Sequence, residues 1–191
     1  MTTTWQLLLA AILLIAIFIS GCSSRREPDK PAMPVNSSGP VGPLQLPPVS
    51  HSELDWMLAD GKPGTLADYQ GKVVVLDYYA TSSAACRESM PRLNALQEKY
   101  GAEGLQVVGL NVGGPDDRSK VAAFATELKI TYPLGFPGRH LTDLFLSRDQ
   151  EIPQTFVFNR AGQLIARYAG YEDSTADDLE KLVVQLLSDN Q

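Results

Sequence analysis

The residues best suited to chemistry lie in a short stretch near the middle of the 191-residue chain. Cys86 is one of only two cysteines, and Ser83 stands three residues before it. The apolar run Val73-Val74-Val75-Leu76 comes first and predicts a strand buried on both faces. A helix is expected from about Ala84 to Tyr100, so Cys86 falls in its first turn, where the helix dipole favours a thiolate. The pattern therefore predicts thiol chemistry centred on Cys86.

This stretch resembles the active-site segment of the thioredoxin superfamily, and most closely its membrane-anchored TlpA/ResA-like branch, which is related to the AhpC/TSA proteins. That branch has a strand, then Trp-Cys-x-x-Cys, then Arg and a Met-Pro or Phe-Pro a few residues on. Cys86, Arg87 and Met90-Pro91 match this pattern. Ser82 stands where the family usually has Trp, and Ser83 stands where it has its first, attacking cysteine. The resemblance implies a member of the thiol–disulfide oxidoreductase family with a degenerate Ser-x-x-Cys centre.

Asp77 is a third candidate for the catalytic centre, six residues before Ser83 on the predicted strand. In thioredoxin itself, an acid at this spacing is buried beneath the second cysteine and helps to move its proton. Burial would raise the pKa of Asp77 and would suit the carboxyl to proton transfer. The alternative is an acid at the end of a strand that faces solvent.

A proline segment far along the chain is the expected substrate contact. Ile152-Pro153-Gln154-Thr155-Phe156 resembles the family's Pro-Thr-Thr-Phe, in which the proline is cis and faces the cysteines. The family pairs the backbone of the preceding residue with a substrate strand. The resemblance therefore implies substrate binding by Ile152 and Pro153, with Arg87 beside Cys86 as a third contact. An ordinary proline at the start of a strand is the alternative.

The missing thiol leaves three functions open. Ordinary thiol–disulfide turnover needs one thiol to attack and a second to resolve the mixed disulfide. With serine at position 83, we expect the chain to bind reduced or extended extracytoplasmic protein clients without cycling an internal disulfide. A redox-inactive binding module, with Cys86 as a packing residue, is the second interpretation. The third is a one-cysteine peroxidase, because Ser83-Ala84-Ala85-Cys86 also resembles the Thr/Ser-x-x-Cys of peroxiredoxins, whose cysteine is oxidised to sulfenic acid.

The first 48 residues predict export and anchoring. Leu7 to Ile19 is an unbroken apolar run of 13 residues, about 20 Å long as a helix. A bilayer core is about 30 Å thick, so the run fits a signal peptide, residues 1–21, better than a membrane span. It ends in Ile19-Ser20-Gly21-Cys22, which resembles the bacterial lipobox and implies cleavage before Cys22 and lipid on its sulfur. An uncleaved anchor is the alternative.

Residues 22–48 then predict a lipidated tether rich in Pro, Ser and Gly. The expected location is the cell envelope, with the domain facing the periplasm or another extracytoplasmic space. Ser23, rather than Asp, follows the lipidated residue and resembles the sorting signal for an outer membrane, where the cell has one.

Residues 49–191 predict one α/β domain with a thioredoxin-like fold, in which helices cover both faces of a central mixed sheet. Beyond the central strand and its helix, the patterns predict strands at 52–58, 105–112, 154–159 and 163–169, helices at 116–129, 141–146 and 175–188, and a loop at 131–138.

Charge and histidine content argue against other classes of function. The net charge of −6 disfavours nucleic-acid binding, which needs a basic face. His51 and His140 are the only histidines and lie far apart in the sequence. We therefore expect neither a metal site nor a cofactor.

Overall fold

A seven-stranded mixed sheet forms the centre of the domain in the computed structural model, which describes residues 50–147 and 149–189. The strands are β1 Asp55–Leu58, β2 Pro63–Thr65, β3 Val73–Tyr79, β4 Leu105–Asn111, β5 Leu134–Pro137, β6 Gln154–Phe158 and β7 Leu164–Ala169. They lie in the order β2-β1-β5-β4-β3-β6-β7. The β3–β4 and β4–β5 pairs are parallel and the other pairs are antiparallel. The predicted signal peptide, Cys22 and the tether lie outside the described residues.

Helices cover both faces of this sheet, as the sequence predicts. They are α1 Ala84–Tyr100, α2 Pro115–Arg118, α3 Val121–Leu128, α4 Arg139–Leu146 and α5 Asp173–Ser188. Short 3₁₀ turns occur at His51–Glu53, Leu66–Tyr69 and Gly101–Glu103. None of the helices within these residues is long and apolar enough to cross a membrane.

Strand β3 divides the core in two because successive side chains point to opposite faces of a sheet. Val73, Val75 and Tyr79 pack with buried side chains of α1, α3 and α5. Val74 and Leu76 pack on the other face, where α4 contributes its own apolar side chains. All seven residues of β3 are buried, which explains the continuous apolar run in the sequence. The predicted thioredoxin-like α/β class is confirmed.

The predicted loop at residues 131–138 is wrong, because it contains β5 between β1 and β4. Gly135 lies in this strand opposite Leu58 and Leu110. A Cβ at this position would lie 2.6 Å from the carbonyl oxygen of Met57, so only glycine fits between the neighbouring strands. Glycine and proline weaken the strand signal in the sequence, and the pairing with two neighbours forms the strand regardless.

Two other predicted boundaries are also wrong. The single helix expected at 116–129 is two helices, which meet at Ser119 and Lys120. The first strand begins at Asp55 and not at residue 52, because Ser50 and Glu53 form a capping box around a 3₁₀ turn at His51–Glu53.

Candidate functional site

Ser83 and Cys86 lie together at the start of α1. Ser83 is the N-cap residue, and its hydroxyl oxygen accepts a hydrogen bond from the Cys86 backbone N–H at 3.3 Å. A serine in this place satisfies a backbone donor that the helix leaves free. Three residues later, Cys86 is the free cysteine of the described chain and is fully buried.

The helix dipole, which favours a thiolate in this first turn, is opposed by the burial of Cys86. Burial raises the pKa of the Cys86 thiol, and the Ser83 hydroxyl, which acts in the opposite direction, does not reverse this. A dipole favours the charged form only where the surroundings can solvate the charge, and the thiol has no exposed surface. At neutral pH the sulfur is therefore protonated.

Asp77 lies on the face of β3 that packs against α1, and it is fully buried. The Thr155 hydroxyl donates a hydrogen bond to Asp77 Oδ1 at 3.1 Å, while Oδ2 has no hydrogen-bond partner among the described residues. Burial raises the pKa of Asp77 from 3.8 to about 7, and the bond from Thr155 opposes that rise. The solvent-facing alternative is excluded, and the carboxyl can gain or lose a proton near neutral pH.

Two buried tyrosines, which the sequence analysis did not identify, lie near this acid. Gly109 pairs with Asp77 across β3 and β4. A Cβ on Gly109 would lie 3.2 Å from the Tyr132 ring and 3.3 Å from the Tyr79 ring, so the glycine makes room for both. Neither tyrosine hydroxyl has a hydrogen-bond partner among the described residues. Burial raises the pKa of both tyrosines, and nearby Asp77 and Cys86 add to the rise.

The loop before β6 carries the predicted cis proline. The Ile152–Pro153 peptide bond is cis, as the motif predicts. Pro153 is buried, and its carbonyl oxygen accepts a bond from Gly170 N–H at 2.9 Å. Ile152 is half-buried and packs against the core cluster that contains Cys86. The bond is therefore that of the motif, and Pro153 also directly precedes strand β6.

A buried glutamine holds this loop in place. The Gln154 side-chain amide donates to the backbone carbonyls of Asp149 and Glu151, at 2.9 and 2.7 Å. Its carbonyl oxygen accepts a bond from Arg167 Nε at 3.1 Å. Arg167 also bonds to the Asp149 carboxylate at 2.5 Å. These contacts tie both ends of the loop to strands β6 and β7, so the backbone ahead of Pro153 has a fixed position.

The Arg87 side chain contacts helix α3. Its guanidinium lies 2.6 Å from the Glu127 carboxylate of α3 and stacks 4.9 Å from the centre of the Phe124 ring. Both charged side chains are largely exposed, so the ion pair adds little stability. Arg87 therefore joins α1 to α3 at the surface beside Ser82.

A groove of about 280 Å³ opens between α1 and α5 next to the proline loop. Leu93 of α1, Tyr168 of β7 and Leu179 of α5 contribute apolar surface to it. Pro153 and Thr155 also line it. Because Thr155 donates a hydrogen bond to Asp77, the groove reaches the residue that contacts the buried acid.

A second buried carboxylate, which the sequence did not predict as a site residue, contacts the turn before α1. Asp117 of α2 is 4% exposed and accepts hydrogen bonds from the Thr81 backbone N–H and the Asn111 side chain, each at 2.8 Å. Its only signal in the sequence is that of an acid in the first turn of a helix, which usually faces solvent. Within residues 50–147 and 149–189, no three His, Cys, Asp or Glu side chains are grouped so as to hold a metal ion.

The fold and this site together define a thioredoxin-like protein of the thiol–disulfide type. The model of the AhpC/TSA family matches residues 48–167, which is more than half of the chain. The chain is 30% identical over 129 residues to the thiol-disulfide oxidoreductase ResA of Geobacillus kaustophilus, covering 66% of this chain and 71% of that protein. It is 31% identical over 124 residues to the thiol-disulfide oxidoreductase YkuV of Bacillus subtilis, covering 63% and 80%.

A solved structure agrees with these relatives. A candidate thiol:disulfide interchange protein DsbE from Chlorobium tepidum superposes with a TM-score of 0.62 at 26% identity, covering 70% of this chain and 92% of that one. The chain therefore belongs to the AhpC/TSA family, in its TlpA/ResA-like branch of thioredoxin-like thiol–disulfide oxidoreductases.

Proposed function

We propose that this protein is a membrane-tethered, extracytoplasmic thioredoxin-like protein that binds thiol-bearing or extended protein clients and does not cycle an internal disulfide. The observation that carries this proposal is the Ser83 hydroxyl at the N-cap of α1, three residues before Cys86. The buried acid Asp77 interacts with Cys86, and Ile152, which precedes the cis proline Pro153, packs against the core cluster that contains Cys86. The arrangement is that of a thiol–disulfide centre from which the first sulfur is missing.

The absence of turnover follows from the chemistry of the two positions. An attacking thiolate is needed at the helix start, and a serine hydroxyl does not open a disulfide under these conditions. Cys86 cannot substitute for it, because its sulfur is fully buried and protonated. Asp77 can still accept a proton near neutral pH. Disulfide exchange within the site would need a second thiol at position 83, and that position holds a serine.

Client binding is assigned to the loop that ends in the cis proline. Ile152 is half-exposed beside the core, and Gln154 fixes the loop from below. The groove between α1 and α5 begins at Pro153 and offers apolar surface next to it. An extended client segment can pair with the backbone at Ile152 and place a side chain in that groove. Arg87, which the resemblance implies as a substrate contact, pairs with Glu127 and is not among the residues that line this groove.

The one-cysteine peroxidase is the weaker interpretation. A peroxidatic cysteine reacts as the thiolate, and burial raises the pKa of Cys86. A redox-inactive binding module is also consistent with a buried Cys86, and it differs from our proposal in one requirement. It does not require the turn at residues 82 and 83 to keep the geometry of a disulfide centre.

The location is proposed from the sequence alone. The lipobox-like segment Ile19 to Cys22 supports cleavage, a lipid on Cys22 and attachment to the cell envelope. Two acyl chains hold a protein stably on a membrane where one does not. Clients would then be extracytoplasmic proteins, reached by the domain through the tether at residues 22–48.

Restoring the missing sulfur tests the proposal. The variant Ser83→Cys should reduce a disulfide protein with a small dithiol as electron donor, and precipitation of the reduced chains is followed as turbidity. The parent should show essentially no activity. Ser82→Cys is the matched control, since it adds the same thiol one residue before the N-cap, and it should stay inactive. An inactive Ser83→Cys, or an equally active Ser82→Cys, would contradict the proposed geometry.

A further inference from the structure

Asp117 is held by the turn that leads into α1. Its Oδ2 accepts the Thr81 backbone N–H and the Asn111 amide, each at 2.8 Å. Its Oδ1 accepts the Thr81 hydroxyl, and Lys120 Nζ lies 3.8 Å away. Thr81 and Asn111 are as buried as the carboxylate itself, at 5% and 4% exposed. A carboxylate that collects three buried hydrogen bonds is a strong local anchor.

The surroundings favour the charged form of this acid. Burial raises the pKa of Asp117, but the hydrogen bonds from Asn111 and Thr81 outweigh that effect and hold the pKa below its usual value. The backbone also makes room for the carboxylate, because a Cβ on Gly113 would overlap it. Asp117 is therefore a buried negative charge at neutral pH.

The anchored residue leads directly to the thiol site. Thr81 lies between the end of β3 at Tyr79 and the N-cap Ser83. The Ser83 backbone N–H donates to the Ala80 carbonyl at 3.2 Å, which closes the turn over Thr81. Two hydrogen bonds from Thr81 to Asp117 fix this turn from the side, so the position of residue 83 relative to Cys86 depends on Asp117.

We propose that Asp117 is a positioning residue for the thiol site, which holds the Thr81 turn ahead of Cys86 and adds a buried negative charge to this centre. This inference rests on the proposed function, because it assigns a role within the same centre. The charged groups that act on Cys86 are Asp77 of β3 and Asp117 of α2. The buried tyrosines Tyr79 of β3 and Tyr132 before β5 are near enough for Cys86 to raise their pKa values. Of the two acids, Asp117 is the one with a lowered pKa, and its charge opposes ionisation of the thiol.

The test uses the full chain with Cys22→Ser, so that Cys86 is the only native thiol, and compares Asp117→Asn with Asp116→Asn. Asp116 is exposed on the same helix, so its replacement removes an equal charge from the surface. The first readout is the pH titration of the Cys86 thiolate by its ultraviolet absorbance. Asp117→Asn should lower the titration midpoint, so that about three to ten times more thiolate is present at a given pH below the midpoint. Asp116→Asn should leave the midpoint unchanged.

The second readout adds Ser83→Cys and measures the equilibrium of the 83–86 disulfide with glutathione. Loss of a charge-assisted anchor should shift this equilibrium toward the dithiol by about tenfold in Asp117→Asn. Thr81→Val removes one bond and keeps the charge, so it should shift the disulfide equilibrium in the same direction without lowering the midpoint of Cys86. It also keeps the test valid if Asp117→Asn does not fold.

The outcomes separate the two claims. If Asp117→Asn and Thr81→Val both behave like Asp116→Asn in both readouts, the positioning role is refuted. A Thr81→Val variant that lowers the Cys86 midpoint as much as Asp117→Asn would refute the part assigned to charge. If Ser83→Cys does not pair with Cys86 at all, the proposed function fails, while the titration of Cys86 still decides whether Asp117 acts on the thiol.

Discussion

Replacement of Asp77 by asparagine should stabilise the folded protein relative to the parent at neutral and alkaline pH, and not at acidic pH. The carboxyl is fully buried, and burial raises its pKa from 3.8 to about 7. Because the folded pKa lies above the unfolded one, the folded state binds the proton more tightly. The resulting stability is fully present below about pH 4, is lost as the pH rises to about 7, and stays lost above it.

The size of the effect follows from the two pKa values. Their difference corresponds to about 4 kcal/mol of unfolding free energy between the acidic and the alkaline limit. The asparagine in Asp77→Asn would keep the size of the side chain and could still accept the Thr155 hydroxyl bond now made at 3.1 Å. The asparagine carries no charge at any pH, so the variant does not lose unfolding free energy as the pH rises. The stability of Asp77→Asn relative to the parent should therefore rise by about 4 kcal/mol from about pH 4 to about pH 8 and then level off.

Urea unfolding at a series of pH values measures this difference directly. Asp116→Asn is the matched control, because Asp116 is exposed, and its difference from the parent should show no comparable step. If the difference between Asp77→Asn and the parent does not change with pH, the carboxyl is not the buried, proton-holding group described above. A step of opposite sign would mean that the charged form is stabilised in the fold.

Three further predictions concern other parts of the molecule. Dilute peroxide should form sulfenic acid at Cys86 no faster than at free cysteine, since burial raises the pKa of the thiol; a much faster rate would restore the peroxidase interpretation. Mass spectrometry of the membrane fraction should find a mature chain that begins at a lipid-modified Cys22, and an intact N-terminus would exclude the proposed anchor. Gly109→Ala should lower the free energy of unfolding by about 1–3 kcal/mol, because the new Cβ would lie 2.6 Å from Leu134 and 3.2 Å from Tyr132; unchanged urea unfolding would contradict this packing.

The central strand, the first helix and the proline loop are predictable because each has a local signal. The run from Val73 to Leu76 is apolar at every position, which suits a strand covered on both faces. Ser83 is a preferred N-cap residue directly before a helical pattern. Pro153 stands in a motif whose cis bond the resemblance already implies.

The rest depends on contacts between distant parts of the chain. Asp117 has the sequence signal of a solvated acid, and its burial comes from Thr81, which is 36 residues away. For Cys86, the helix start favours a thiolate and the packing interpretation a buried thiol, and only the packed core decides between them. Strand β5 contains glycine and proline, and it forms because β1 and β4 provide partners on both sides. None of these effects is visible in a window of neighbouring residues.

The most direct measurement of the central claim is the mass of the intact Ser83→Cys protein after mild oxidation. If the site is a thiol–disulfide centre that lacks one sulfur, the new thiol and Cys86 should pair, and the protein should lose two hydrogens without gaining a partner. Ser82→Cys, treated in the same way, should keep both thiols. A Ser83→Cys protein whose thiols remain free and alkylable under oxidising conditions would show that the turn before α1 does not have the geometry of such a centre.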